Sequence, residues 1–186
     1  DRALDRIIKE SNKLNSLVKN ILEISRGEVK RSIVKEEFDL GNLINSKISD
    51  MNIRIIKAQI KLNVDIKNIN IVSNKEDINT IIVNLIDNAI KYTPNGGKVI
   101  VKQFTKDNNI IIEVIDNGMG IPKEDQSKIF QRFYRVDKAR SRSVGGTGLG
   151  LAITKHIVNS LNGSISVESE FGEGSKFIVK LPKKIS

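Results

Sequence analysis

NLIDNAIKYTP, residues 84–94, carries two patterns at once. Leu85, Ile86 and Ala89 extend an apolar face that starts at Ile78, Ile81 and Ile82, at the spacing of an amphipathic helix. Asn74 is placed to begin that helix. Asn84, Asp87, Asn88 and Lys91 lie three or four residues apart, so they share one helical side. Carboxamide oxygens can ligate a hard cation such as Mg²⁺, which keeps several of its waters. A lysine ammonium is a point charge suited to phosphate. The same spacing also describes an ordinary solvated face. Pro94-Asn95-Gly96-Gly97 closes the segment as a turn.

Working outward, Val34–Phe38 reads as a short strand and Asp39 as the cap of a helix running to Lys57. Ile60–Ile66 alternates as a half-buried strand does. Val99–Phe104 and Ile110–Ile115 predict a hairpin around Lys106–Asn109. A long irregular stretch covers Gly118–Gly146, and Thr147–Leu161 is helical again, stopping at Asn162-Gly163. Ile165–Ser169 and Lys176–Leu181 predict a closing hairpin. This order implies an α+β fold over 34–186: a two-layer sandwich, with helices on one face of a mixed sheet.

Ahead of it, Leu4, Ile7, Ser11, Leu14, Val18, Ile21 and Ser25 alternate by three and four. That is a heptad seam, predicting one long amphipathic helix over 1–27 and a polar linker over 28–33. Such a stripe needs a partner helix or another copy of the chain. Asp1 opens inside the helical pattern without a leader sequence, so the chain is expected to be a piece of a longer one.

Composition narrows the chemistry. The 186 residues contain no cysteine and a single histidine, His156. Disulfides, thiolate ligands, cysteine nucleophiles and histidine metal clusters are excluded. No apolar run reaches the roughly 20 residues needed to span a bilayer. The net charge of +9 invites an anionic partner. Much of it is a bias towards Ile, Lys and Asn, which number 31, 22 and 19. Arginine is more local: four of nine fall at Arg132, Arg135, Arg140 and Arg142.

Three further motifs stand out. DNGMGIP, residues 116–122, follows the strand IIIEVI. Its Asp116 sits at a strand end, and Gly118 and Gly120 permit close backbone approach. KIFQRFYR, residues 128–135, sets Phe130, Phe133 and Tyr134 among basic residues. That suits a mobile lid, a solvated basic loop or a platform for single-stranded nucleic acid. GGTGLGL, residues 145–151, opens a helix, where glycines and the helix N-terminus favour phosphate. It has neither the Lys-Ser/Thr of a P-loop nor the spacing of the dinucleotide fingerprint.

In this order, the four motifs resemble the ATP-binding catalytic domain of sensor histidine kinases. That domain belongs to the wider family that includes DNA gyrase, the ninety-kilodalton heat-shock chaperone and the mismatch-repair ATPases. The opening helix, closing in ILEISR, is similar to the second helix of the kinase dimerisation hairpin. The resemblance implies ATP and Mg²⁺ as ligands. It implies Asn88 as the Mg²⁺ ligand with Asn84 beside it, Lys91 at the phosphates and Tyr92 lining the site. Asp116 would accept a hydrogen bond from the adenine amino group, with Gly118, Gly120 and Ile121 shaping that wall. Tyr134 and Arg135 would reach over from the lid. Gly146, Thr147, Gly148, Leu149 and Gly150 would wrap the phosphates. Ser175 stands where the family usually has threonine.

Two absences refine the expectation. Hydrolysing relatives carry a water-activating glutamate at the position of Asn84, and an asparagine is no general base. The phosphoacceptor motif, of the form S-H-E-L-R-T-P, is missing, and His156 lies in another helix, LAITKHIVNSLNG. The resemblance therefore implies transfer of phosphate to a histidine on a helix outside this chain. Onward transfer would go to a response-regulator aspartate. The parent would be a homodimeric, membrane-anchored bacterial sensor with this portion in the cytoplasm and no role for nucleic acid. Alternatives are a non-catalytic basic binding module on the same fold and an anti-sigma-factor-type Ser/Thr kinase.

Overall fold

Seven apolar residues of one helix organise the core. In the computed structural model, which describes residues 34–136 and 147–183, that helix is Lys75–Tyr92. Its Ile78, Ile81, Ile82, Leu85, Ile86, Ala89 and Ile90 are buried, each stabilising by about 1.5–3 kcal/mol for a full-sized aliphatic chain. Asn74 caps it: the side chain accepts the Asp77 N–H at 3.0 Å. Glu76 and Asp77 in the first turn suit the positive end of the helix dipole.

The elements run β1 (Glu36–Asp39), α1 (Leu40–Asp50), α2 (Asn52–Lys57), β2 (Lys61–Ile66), β3 (Asn70–Ser73), α3 (Lys75–Tyr92), β4 (Lys98–Lys106), β5 (Asn109–Asp116), α4 (Gly150–Ser160), β6 (Ser164–Glu170) and β7 (Gly174–Pro182). The main sheet has the order β2-β4-β5-β7-β6. Only β2 and β4 pair in parallel; the other three pairs are antiparallel. The expected α+β architecture, a mixed sheet with helices, is the one observed. Side chains alternate as a one-sided sheet requires. Val99, Val101, Ile110, Ile112, Val114, Phe177, Val179 and Leu181 are buried in the core, whereas Lys102, Glu113 and Lys176 point the other way. The β4–β5 hairpin turns at Asp107 and Asn108, both with positive φ (49° and 59°). That turn matches the right-handed twist of the strands.

Three boundaries differ from the sequence expectation. The helix expected over 39–57 is broken at Met51, whose φ of −93° and ψ of −1° end α1 and start α2. Met51 and Ile55, four residues apart, are both buried, while Ile53 and Ile56 are exposed. The strand Asn70–Ser73 was not expected; it pairs with Glu36–Asp39 in a separate two-stranded antiparallel sheet. Its pattern is too short to register as periodic, and pairing decides it. The helix expected from Thr147 begins at Gly150. The expected helix over 1–27, the linker over 28–33 and loop residues 137–146 lie outside the described residues.

Candidate functional site

Asp116 ends β5 in phase with Ile110, Ile112 and Val114, so its carboxylate faces the helices. It stands opposite Ser175 of β7, which stands opposite Ser169 of β6. The three side chains form a polar row across the end of an otherwise apolar sheet face. Asp116 and Ser175 are each 8% exposed. The Gly118 N–H donates to Asp116 Oδ1 at 2.9 Å. Burial raises the Asp116 carboxyl above its ordinary value, while backbone N–H groups of Gly118 and Ser175 pull it back. A buried carboxylate has about four lone-pair sites, so one that takes two backbone N–H groups at a strand end can still accept a ligand N–H.

The loop after Asp116 must lie flat against two elements. A Cβ at Gly118 would sit 2.3 Å from the Tyr92 carbonyl oxygen, and the Met119 N–H donates to that same oxygen at 3.1 Å. Gly120 has φ +66°, and a Cβ there would lie 1.9 Å from the Glu170 carbonyl oxygen. Ile121 is held by its N–H to Ser169 Oγ at 2.9 Å. Gln126 clamps the same place, donating to the carbonyls of Ile121 and Ser169 at 3.0 and 2.7 Å.

Helix α3 carries the next group of expected site residues. The Asn84 amide donates to the Gly150 carbonyl at 3.1 Å and to Thr154 Oγ1 at 3.2 Å, tying α3 to α4. One turn on, half-buried Asn88 makes no side-chain hydrogen bond to another described residue. Lys91 Nζ pairs with Asp87 Oδ2 at 2.5 Å, and Arg54 from α2 pairs with Asp87 from the other side. Tyr92 is at the exposed C-terminal end of α3.

At the start of α4, Gly148 has φ +69° and its carbonyl accepts the Phe133 N–H at 2.9 Å. No side chain caps α4, so its first N–H groups lack an intrahelical partner. Leu149 is 1% exposed; its side chain belongs to the core, and only its backbone is offered to a ligand. Thr147 Oγ1 accepts the Leu149 N–H at 3.3 Å. Tyr134 is half-buried, with its hydroxyl donating to Asp125 Oδ1 at 2.5 Å. That bond to a carboxylate raises the phenol above its ordinary value. Arg135 is half-buried beside it. Gly146, Arg140 and Arg142 lie outside the described residues.

The donor set fits a nucleotide and its magnesium. No cluster of three His, Cys, Asp or Glu able to hold a metal exists among the described residues. The spare carboxamide of Asn88 suits Mg²⁺ held largely by phosphate and water. Beside the Ile121 loop and the end of β6, an open cleft of about 550 Å³ is lined by Ile121, Lys123, Gln126, Ser169, Glu170 and Phe171. It shares only Ile121 with the expected site residues. Ser169, Gln126 and Arg54 are absent from the sequence expectation, which placed Asp87 on the polar side of α3 without a role. A signal existed for Ser169, a polar residue in phase with Ile165 and Val167. None existed for Arg54, which reaches Asp87 across 33 positions of chain.

Residues 73–185 match the family described as histidine kinase-, DNA gyrase B-, and HSP90-like ATPase. The chain belongs to that family. Within it, the likeness is to the ATP-binding catalytic domain of sensor histidine kinases. The sensor-like histidine kinase SenX3 of Mycolicibacterium smegmatis is 37% identical over 98% of this chain and 48% of its own length. The chain thus spans about half the length of the curated relatives it matches. Full-length ShkA in complex with AMPPNP superposes with a TM-score of 0.83 at 25% identity, covering all of this chain and 39% of that one. Histidine kinase ThkA, in complex with the response regulator protein TrrA, superposes with a TM-score of 0.76 at 26% identity, covering 99% and 51%. Neither the basic binding module nor the anti-sigma-factor-type kinase is supported by these likenesses. No helix among the described residues is long and apolar enough to cross a membrane.

Proposed function

We propose that this chain binds Mg·ATP and, in the intact protein, transfers the γ-phosphoryl group to a histidine on a dimerisation helix. The bond from the γ-phosphorus to its bridging oxygen breaks, ADP leaves, and the phosphoryl group joins a ring nitrogen of that histidine. A response-regulator aspartate is the onward acceptor. The observation that carries this reading is the buried Asp116, which keeps lone pairs for a ligand at the end of β5, in a fold that also carries an α4 start without a side-chain cap and an α3 side bearing Asn88 and Lys91. The complexes of ShkA with AMPPNP and of ThkA with TrrA support the same ligand and partner classes here.

In this reading Asp116 and Ser175 hold the base, and Gly118, Gly120 and Ile121 shape its wall. Asn88 holds Mg²⁺, which would neutralise phosphate charge. Lys91, Tyr92, Tyr134 and Arg135 close the site from α3 and the lid. Backbone N–H groups of Gly146, Thr147, Gly148, Leu149 and Gly150 meet the phosphates. Asn84, its amide engaged by Gly150 and Thr154, sets the spacing of α3 and α4 and cannot act as a base. Phosphoryl transfer is mainly positioning and charge neutralisation, so no acid–base residue is demanded of this chain.

The phosphoacceptor is not His156, which is exposed on α4. Residues 1–27 would form the second helix of the dimerisation hairpin, 28–33 the linker and 34–186 the catalytic domain. Incubation with γ-labelled ATP tests the assignment. The chain alone should take no label, and adding the parent's phosphoacceptor hairpin should place label on that hairpin. Strong label on His156 would overturn it.

A further inference from the structure

Asp87 of α3 is shared between two cations. Lys91 Nζ, one helical turn on, lies 2.5 Å from Asp87 Oδ2. Arg54 of α2 takes the other oxygen, Oδ1, through Nη2. The carboxylate is thus divided, one cation to each oxygen. The lysine is the group that the nucleotide reading sets against phosphate. Its worth there depends on how much of its charge the carboxylate cancels. Lys91 and Asp87 alone sum to zero, and a neutral pair attracts an anion only as a dipole. With Arg54 the trio keeps a net positive charge. A guanidinium is always charged and offers its N–H donors in a planar fork, so it competes well for a carboxylate oxygen. A lysine ammonium has three donors, so a bond to Asp87 leaves the others for phosphate oxygens.

We propose that Arg54 is a positioning residue for the phosphate side of the site: by engaging Asp87 from α2, it leaves the Lys91 charge available to the nucleotide tail. This deepens the Mg·ATP reading of the same site and rests on it. Arg54 touches no ligand in this scheme and acts through Asp87. Its effect falls on the polyphosphate tail, so it favours a nucleoside triphosphate over a monophosphate. The side chains of Arg54, Asp87 and Lys91 are 49%, 20% and 29% exposed, so water and salt screen part of the interaction and the effect is a few-fold.

Calorimetric affinities of the full chain for ATP and for AMP, at low salt and fixed magnesium, test the idea in a double-mutant cycle. Arg54→Ala should weaken ATP about three- to fivefold and leave AMP unchanged. Asp87→Asn removes the carboxylate that the arginine restrains. In that background Arg54→Ala should cost ATP less than about 1.5-fold, because the coupling runs through Asp87. An arginine that met the phosphates directly would cost the same factor in both backgrounds, which would overturn the proposal. A role confined to holding α2 in place would weaken ATP and AMP together, and would overturn it too. Arg54→Gln keeps an amide to hydrogen-bond Asp87 without the charge, and should lose ATP as the alanine does; wild-type affinity in that variant contradicts the charge argument. If Arg54→Ala does not fold, Arg54→Gln takes its place in the cycle. Failure of wild type to bind ATP refutes the nucleotide reading itself. Firm ATP binding with an unchanged ratio of ATP to AMP affinity in Arg54→Ala or Arg54→Gln overturns this proposal alone.

Discussion

Replacing Asp116 by asparagine separates ligand recognition from folding. Backbone N–H groups of Gly118 and Ser175 donate to the carboxylate from the protein side, and under the proposed function the base amine would donate from the ligand side. An asparagine amide has one acceptor edge and one donor edge. If its oxygen serves the backbone, its NH₂ confronts the ligand amine; if it flips, its NH₂ confronts a backbone N–H. A hydrogen bond to a charged group is worth about 1.5–3 kcal/mol, so ATP affinity should fall roughly 10- to 150-fold. Stability should move the other way. Burial raises the folded-state pKa of Asp116, so the ionised side chain opposes folding at neutral pH. Its favourable contribution is full below the ordinary aspartate value and is lost as pH rises through the raised one. Asp116→Asn should thus melt at or above the wild-type temperature at pH 7. The wild type should gain on the variant as pH falls through that window. Calorimetry with ATP and melting curves at several pH values provide the measurements. An affinity within threefold of wild type would refute the role of Asp116, and a pH-independent melting difference would refute the burial argument.

Three other outcomes follow. Gly120→Ala forces a Cβ to 1.9 Å from the Glu170 carbonyl at φ +66°, and should cost at least about 2 kcal/mol, lowering the melting temperature by roughly 4–8 °C. Leu85→Ala empties a fully buried position between α3 and the sheet, and should cost about 2–5 kcal/mol in urea denaturation. Lys91→Ala removes a partly exposed charge paired with Asp87, and should weaken ATP roughly three- to tenfold at low salt while leaving AMP unchanged. Equal losses for both nucleotides would contradict a phosphate-directed role.

Legibility in the sequence tracked how local each cause is. The amphipathic period of α3, the Asn74 cap and the Asp107-Asn108 turn are effects of neighbouring residues, and each stands as read. Helices α1 and α2 read as one because the apolar period runs on across Met51, with Leu40, Leu43, Ile44, Met51 and Ile55 all buried; only the backbone at Met51 records the break. Strand β3 is four residues long, and its existence depends on β1, more than thirty positions away. The site divides the same way. Glycines at 118 and 120 advertise themselves, because close backbone approach leaves few other residues possible. Ser169 and Arg54 act through partners distant in sequence.

The sequence by itself determined the family, the α+β order of elements and the spacing of the four motifs. Those properties live in residue identity and short-range spacing. Only the tertiary structure decided that Leu149 spends its side chain in the core and that Asn84 is spent on joining two helices. Only it set Asp116, Ser175 and Ser169 in one row. Strand register brings residues of β5, β6 and β7 side by side, and that register is set by pairings between positions far apart in the chain.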